Sequence, residues 1–313
     1  MGGNRVGEGR RGHRARRQLR GGRRPHRGVP RGRQRRVHHV GLPAPRGGLL
    51  VRRGRHAHSP RARSSARTAV GTREGVLVPV RSVGLFLVGH IDAGSLHVGG
   101  DYPELYQELL GPHGINVVTY RCDEGQFPES LDEQDGWLCS PSRLSVYDDV
   151  AWLRTVEELL REIVRTETPF VGICFGHQLL AQALGGAVRK ADFGWGIGAK
   201  EYEVHETREW MTPPREVIHL AASHQDQVLE VPADATVWAS SDYCPVGGMF
   251  VGERAWTLQV HPEFSPALAD SLLATRVSLF GEEHAAAARA TLTRTSLDQG
   301  LLAGWISAFF HGE

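Results

Sequence analysis

The chain has 313 residues, 40% of them hydrophobic, and a formal net charge of only +2. Residues 1–80 hold 22 Arg, no Lys and two acids and carry +20, whereas residues 81–313 carry −18. The length suffices for one or two domains with buried cores, and no run approaches the 18 apolar residues that a membrane-spanning helix needs, so composition excludes a membrane-spanning protein.

The first segment, residues 1–80, is rich in Arg, Gly, Pro and His and has almost no aliphatic periodicity. It cannot bury enough apolar surface to offset the entropy of ordering, so we predict that it is disordered. Arg without Lys is what GC-rich codons yield when upstream DNA is read as protein, which favours a translation-start artefact and a start near residues 76–80. The alternatives are a disordered tail without a specific role and a basic arm for a polyanion.

The four cysteines show no Cys-x-x-Cys spacing, which argues against a zinc site and against a disulfide framework. No apolar run follows Met1, which argues against a secretory signal. We therefore expect a cytoplasmic protein with free thiols.

From residue 81 onward, apolar runs alternate with amphipathic stretches. Short apolar runs predict buried strands over residues 83–88, 115–120, 136–139 and 169–173. Helical spacing of apolar residues predicts helices over residues 102–110, 147–165 and 175–184. This alternation indicates an α/β fold, with an open, mostly parallel sheet and helices on both of its faces.

The second half of the sequence is richer in strand. Predicted strands cover residues 202–204, 217–222, 236–239 and 256–260. Helices return from Pro266 onward and include residues 285–290 and 301–310. We assign residues 81–281 to one α/β domain and residues 282–313 to a C-terminal helical extension.

A Gly-x-Cys-x-Gly sequence around Cys174 joins a buried strand directly to a helix. This pattern is typical of a nucleophile elbow, in which Gly172 and Gly176 allow the tight turn. The helix N-terminus would stabilise a thiolate at Cys174, and the N–H of Phe175 would form half of an oxyanion hole. The alternative is a structural cysteine buried beside glycines.

The sequence His261-Pro262-Glu263 follows the last predicted strand. A thiolate nucleophile needs a base that also protonates the leaving amine, and the base needs a carboxylate to orient it. On its own, His-Pro-Glu is a common surface turn. Because its strand and the strand before Cys174 should end at the same sheet edge, we predict that Cys174, His261 and Glu263 act together.

The Cys174 turn, the His261-Pro262-Glu263 sequence and four other blocks occur in the same order as in the class I glutamine amidotransferase family, which the chain resembles over residues 83–281. The other four blocks are residues 135–141, 146–152, 194–198 and 223–228. The arrangement is most similar to the stand-alone, guanylate-synthase-like branch. The resemblance implies that Cys174 is the nucleophile, His261 the general acid and base, and Glu263 its orienting carboxylate.

The resemblance also implies roles outside this triad. The N–H groups of Phe175 and Ser140 would form the oxyanion hole, and Gln178 would contact the glutamine amide region. The amino-acid end of the substrate would be held by Ser223, Gln225 and Asp226. Ser140 departs from the family pattern, which usually has glycine there. If its peptide must adopt a left-handed conformation, a side chain costs about 1–3 kcal/mol, and activity would depend on that change.

The implied reaction is attack of the Cys174 thiolate on the side-chain amide of glutamine, after which water releases glutamate from a thioester. No metal or organic cofactor is needed. An amidotransferase would deliver the ammonia to a separate synthase subunit. Because no synthase domain is fused within the 313 residues, a γ-glutamyl peptidase or hydrolase is the alternative. A non-catalytic binding protein is disfavoured by the intact triad, and neither nucleic acid nor a membrane is an expected partner.

Overall fold

The computed structural model describes residues 72–73, 76–77 and 79–312, with side chains from residue 79 onward. The segment predicted to be disordered, residues 1–80, lies almost wholly outside the described residues. The two short ranges pair as antiparallel strands, β1 (Thr72–Arg73) and β2 (Val76–Leu77). The remaining elements follow in chain order: β3 (Arg81–Leu87), α1 (Tyr102–Leu110), β4 (Ile115–Arg121), β5 (Gly136–Cys139), α2 (Ala151–Arg165), β6 (Phe170–Ile173), α3 (Phe175–Ala183), β7 (Ala187–Lys190), β8 (Gly196–Val204), β9 (Val217–His224), β10 (Asp226–Glu230), β11 (Ala235–Ser240), β12 (Gly248–Val251), β13 (Ala255–Leu258), α4 (Pro266–Thr275), α5 (Val277–Phe280), α6 (Glu282–Arg294) and α7 (Gln299–His311).

The main sheet has nine strands in the order β4-β3-β5-β6-β13-β12-β11-β8-β9, and β7 pairs separately with β10. The first five strands in this order pair in parallel, and the remaining strands extend the sheet antiparallel. Strands β6 and β13 are parallel neighbours at the centre of the sheet. Chain segments that leave their carboxyl ends therefore emerge at the same edge, where α/β proteins place their sites.

Helices cover both faces of the sheet. As a result, successive side chains of β3 pack into two different hydrophobic clusters. Leu85 packs in one cluster with Tyr106 of α1 and Trp305 of α7. Phe86 packs in the other cluster with Leu160 of α2 and with α3. The predicted α/β class with helices on both faces is confirmed. The segment 282–313 contributes to the first of these clusters, and its status as a separate extension stays a prediction.

Several elements differ in extent from the sequence expectation. Helix α2 begins at Ala151 rather than at residue 147, because the Asp148 carboxylate accepts the N–H of Ser145 (2.9 Å) and holds the preceding residues in a turn. Strand β8 is longer than expected because it pairs with β9 from Gly196–His224 to Glu203–Val217. Within it, Gly198 lets α6 approach closely, since a Cβ there would lie 2.5 Å from Thr291 Oγ1. Within residues 79–312, no helix is both long and apolar enough to cross a membrane.

Candidate active site

Cys174 occupies the turn between β6 and α3. Its backbone has φ 50° and ψ −95°, a region that residues with side chains rarely adopt and that costs about 1–3 kcal/mol. A Cβ on Gly172 would lie 2.7 Å from the carbonyl oxygen of Gly176, and one on Gly176 would lie 2.8 Å from Cβ of Cys139. The two glycines thus permit the close packing that fixes Cys174 at the N-terminus of α3.

His261 lies three residues beyond the end of β13 and is held from several sides. Its Nδ1 is 2.8 Å from Oε1 of Glu263, and the side chains are 3% and 0% exposed. The ring stacks on Phe264 with a centroid separation of 4.0 Å and an interplanar angle of 3°. The backbone N–H of His261 donates to the carbonyl oxygen of Ala221 (2.9 Å). Together these contacts fix both the position and the orientation of the imidazole.

The electrostatics of this pair favour a protonated ring. Burial lowers the pKa of His261, but the negative charges of Glu263 and Cys174 outweigh it and raise that pKa to about 9. Nε2 of His261 is buried and has no hydrogen-bond partner among the residues that the structure describes. With Nδ1 held by the carboxylate, the second ring N–H remains available to a thiolate or a leaving group.

A cavity of about 200 Å³ opens beside Cys174. Its walls include six of the nine residues that the sequence predicts for the site: Cys174, Gln178, Ser223, Gln225, Asp226 and His261. The other three, Ser140, Phe175 and Glu263, do not line it. Glu263 instead supports His261 from behind, and Phe175 contributes the first N–H of α3, which has no acceptor within the helix.

Ser140 is engaged with the sheet. Its N–H donates to the carbonyl oxygen of Phe86 (3.1 Å), and its hydroxyl accepts the N–H of Val88 (3.0 Å) and donates to the carbonyl oxygen of Pro141 (3.1 Å). In this conformation the N–H of Ser140 is therefore not free to bind an oxyanion. Freeing it would require breaking the pairing with Phe86.

Gln178 connects the segment 223–228 to the nucleophile. Its Nε2 donates to the carbonyl oxygen of Asp226 (2.8 Å) and to Oε1 of Gln259 (3.1 Å). The amide of Gln259 in turn donates from Nε2 to the sulfur of Cys174 (3.6 Å). Both amide hydrogens of Gln178 are thus used inside the protein rather than offered to the cavity.

Arg276, between α4 and α5, also lines the cavity, although the sequence does not predict it as a site residue. Its guanidinium donates to Oγ of Ser223 (3.1 Å) and to Oδ2 of Asp92 (2.5 Å). Asp92 also accepts from Arg143 (2.7 Å), and Arg143 and Lys190 line the same cavity. The cavity therefore presents cationic side chains, among which Arg276 contacts a predicted substrate-binding residue.

Two residues at the site, Arg276 and Gln259, were not predicted from the sequence, and only Gln259 had a sequence signal. Arg276 follows an ordinary amphipathic helix, so no local pattern marks it. Gln259 stands two residues before His261, and in extended chain this spacing places side chains on the same side. That alternation was a usable signal for Gln259.

The cysteines and acidic side chains show no sign of a metal centre in the described part of the chain. In residues 79–312, no group of three His, Cys, Asp or Glu side chains is placed to hold a metal ion. Cys122, Cys139, Cys174 and Cys244 are all free thiols. The chemical groups that the site offers are a thiol, an imidazole paired with a carboxylate, and a backbone N–H.

Comparison with known proteins shows to which family the chain is similar. A family model for class I glutamine amidotransferases matches residues 99–277. The chain is 28% identical to γ-glutamyl peptidase 3 of Arabidopsis thaliana, over 64% of this chain and 84% of that protein. It is 34% identical to the glutamine-hydrolysing GMP synthase of Clostridium novyi, over 54% of this chain and 32% of that protein.

The fold also matches solved structures. A crystal structure of a glutamine amidotransferase from Thermotoga maritima superposes with a TM-score of 0.59 at 19% sequence identity, covering 74% of this chain and 96% of that one. The family model spans more than half of the chain and includes the turn at Cys174 and the His261–Glu263 pair. The chain therefore belongs to the class I glutamine amidotransferase family.

Proposed function

We propose that the protein hydrolyses the γ-amide of glutamine through a thioester on Cys174. The observation that carries this proposal is that Cys174 and His261 follow neighbouring parallel strands and line the same cavity, with Glu263 bonded to His261 from behind. A strained cysteine at a helix N-terminus, beside an imidazole held by a carboxylate, is suited to nucleophilic attack on an amide carbonyl.

The proposed reaction has two steps. The sulfur of Cys174 attacks the γ-carbonyl carbon, and the protonated ring of His261 gives its Nε2 proton to the departing nitrogen, so that ammonia leaves and a thioester forms. Water then attacks the thioester while His261 accepts one of its protons and the other passes to solvent, which releases glutamate and restores the Cys174 thiolate beside the protonated ring. Throughout, Glu263 keeps the ring in the orientation that both transfers require.

Charge that develops on the carbonyl oxygen needs hydrogen-bond donors. The N–H of Phe175 is the first donor, because its position at the start of α3 leaves it without a helical acceptor. The N–H of Ser140 is the second donor that we propose, and it becomes available only when its bond to Phe86 opens. Full activity would therefore depend on a local change at the end of β5.

The amino-acid end of the substrate would lie against the segment 223–228. The Asp226 carboxylate suits the α-ammonium group, while Ser223 and Gln225 supply polar groups nearby. Arg276, which donates to Ser223, adds a cation suited to the α-carboxylate. Gln178 would contribute through its carbonyl oxygen, since its amide hydrogens are already used.

A γ-glutamyl peptide is the second candidate substrate, and two observations favour it. The chain spans 84% of the γ-glutamyl peptidase relative but only 32% of the GMP synthase relative. In addition, Leu144 and Leu279 are 38% and 54% exposed where they line the cavity, and Trp195 lies among the same lining residues. Such a wall suits a leaving amine larger than ammonia. If glutamine is the substrate, the ammonia would instead pass to a separate synthase subunit.

The test compares the wild-type protein with Cys174→Ala on glutamine and on γ-glutamyl dipeptides, with glutamate release as the measurement. We expect the substitution to lower turnover by at least about 10³-fold, because it removes the attacking atom. A glutamine-mimicking electrophile should label the wild-type protein on Cys174. Undiminished turnover in Cys174→Ala would refute the proposal.

The same assay separates the two substrates. Turnover of glutamine, or turnover that appears when a synthase protein is added, supports the amidotransferase. Cleavage of dipeptides without cleavage of glutamine supports the peptidase.

A further inference from the structure

Gln259 has no role in the chemistry proposed above, yet it touches the sulfur of the nucleophile. Its side chain is fully buried, and its Nε2 lies 3.6 Å from Sγ of Cys174. Burying a carboxamide without hydrogen-bond partners costs free energy, so the partners of the Gln259 side chain indicate what it does in the fold. They are the nucleophile on one side and Gln178 on the other.

The direction of these bonds is fixed by one backbone carbonyl. The carbonyl oxygen of Asp226 can only accept, so the atom of Gln178 that lies 2.8 Å from it must be the amide nitrogen. The same nitrogen faces Gln259 at 3.1 Å, so it meets the oxygen of Gln259 there. The nitrogen of Gln259 is thereby turned toward Cys174, and the sulfur receives an N–H rather than a lone pair.

An N–H aimed at sulfur stabilises the thiolate more than the thiol, because a hydrogen bond to an ionised acceptor is roughly twice as strong as one between neutral groups. It also restricts the side-chain torsion of Cys174, which keeps the sulfur at one place on the cavity wall. We propose that Gln259 is a positioning residue that holds the Cys174 sulfur as a thiolate directed into the cavity. Gln178 and the Asp226 carbonyl keep its amide in the required orientation. This inference rests on the proposed role of Cys174 as nucleophile.

The groups around the sulfur determine what a pH measurement would report. Among the residues that the structure describes, the ionisable side chains whose pKa responds to Cys174 include His261, Tyr102, Tyr106 and Cys244. Burial raises the pKa of both tyrosines well above its ordinary value and that of Cys244 to about 12. Of these groups, His261, whose pKa is about 9, is therefore the one expected to change its protonation between pH 5 and pH 10.

The experiment measures the rate at which iodoacetamide alkylates Cys174 between pH 5 and 10, read by mass spectrometry of the peptide that carries it. Two variants remove the N–H donor. Gln259→Glu keeps an acceptor for Gln178, and Gln259→Met keeps the length of the side chain. In both we expect the pH of half-maximal rate to rise by about one unit and the rate at pH 6 to fall about tenfold.

Gln182 provides the matched control on α3. It donates its amide to the carbonyl oxygen of Val146 (3.0 Å), away from Cys174. Gln182→Glu and Gln182→Met should therefore alkylate like the wild-type protein. Folded Gln259 variants with the wild-type pH profile would overturn the inference. If circular dichroism shows both to be unfolded, Gln178→Met decides the matter, because it leaves Gln259 in place but removes the group that orients its amide. A wild-type profile in that variant would likewise overturn the inference.

Alkylation requires no substrate, so this result is independent of the proposed reaction. A wild-type protein that cleaves neither glutamine nor γ-glutamyl dipeptides, but whose alkylation depends on Gln259, would refute the proposed function and retain the inference. Where turnover is found, Gln259→Met should lower kcat and leave KM nearly unchanged, as expected for a residue that acts on the nucleophile rather than on substrate binding.

Discussion

Glu263 illustrates how one buried carboxylate can set two properties of its neighbour. Its bond to Nδ1 of His261 fixes which ring nitrogen faces the cavity, and its charge opposes the effect of burial on the ring. Because the ring's pKa is raised to about 9, the protonated form persists through neutral pH. The proposed general acid, His261, is thus protonated at neutral pH, and it loses its proton as the pH rises through about 9.

The variant Glu263→Gln tests this role. The amide is the same size but carries no charge, so the pKa of His261 should fall and kcat should drop about 10²–10⁴-fold. The alkaline limb of the kcat/KM profile, expected near pH 9 in the wild-type protein, should move to lower pH. Glu253→Gln, at an exposed carboxylate paired with Arg208, is the control. An alkaline limb that stays in place would show that the carboxylate does not set the ring's protonation.

The residues of the site were predictable where a short motif carried them. The glycines around Cys174 and the His-Pro-Glu sequence each impose a local geometry, so their placement follows from neighbouring residues. Arg276 is held at the cavity by Asp92 and Ser223, both far away in sequence. Likewise, nothing local to Ser140 reveals that its N–H is used by Phe86 on the neighbouring strand.

At the scale of elements, β6 and α3 pack so closely at Gly172 that there is no room for a side chain at this position. We expect Gly172→Ala to lower the free energy of unfolding by about 1–3 kcal/mol, since its Cβ would meet the backbone carbonyl oxygen of Gly176 at 2.7 Å. Gly304→Ala, in the middle of α7 with nothing within 4 Å of the added Cβ, should raise it by about 0.5–1 kcal/mol. Urea denaturation measures both, and changes of the same sign would contradict this argument.

Elements with their own hydrophobic pattern were predictable, and those defined by distant partners were not. Helix α1 has the predicted bounds because the Asp101–Glu104 capping box and the apolar face are both formed by residues within or next to the helix. Strands β7, β10 and β12 are four or five residues long and were missed. Strands β7 and β10 pair with each other although they lie far apart in sequence, and runs as short as these three have no distinctive periodicity of their own.

At the scale of the whole molecule, two buried histidines should make the fold sensitive to acid. Burial lowers the pKa of His177 and of His224 to about 3, so each stays neutral in the folded protein while the unfolded chain binds a proton below about pH 6.5. The stability that depends on these groups is complete above pH 6.5 and is lost as the pH falls toward 3. Each should contribute a slope of about 1.4 kcal/mol per pH unit.

The variant His177→Gln isolates one of these contributions. Glutamine cannot bind the proton, so the free energy of unfolding should fall less steeply between pH 6 and pH 4, by about 1.4 kcal/mol per pH unit. Urea denaturation at several pH values measures the slope, which is unaffected by the constant effect of losing the bond to Thr257. Parallel curves for the two proteins would rule out this origin of acid sensitivity.

The neighbouring positions of β6 and β13 also impose an order of assembly during synthesis. The ribosome releases Cys174 first and His261 only after the strands β7 to β13. Gln299 of α7, which donates to the carbonyl oxygen of Pro262 (3.0 Å), is released later still. Until His261 is made, the nascent chain carries the Cys174 thiol without the imidazole that lines the same cavity.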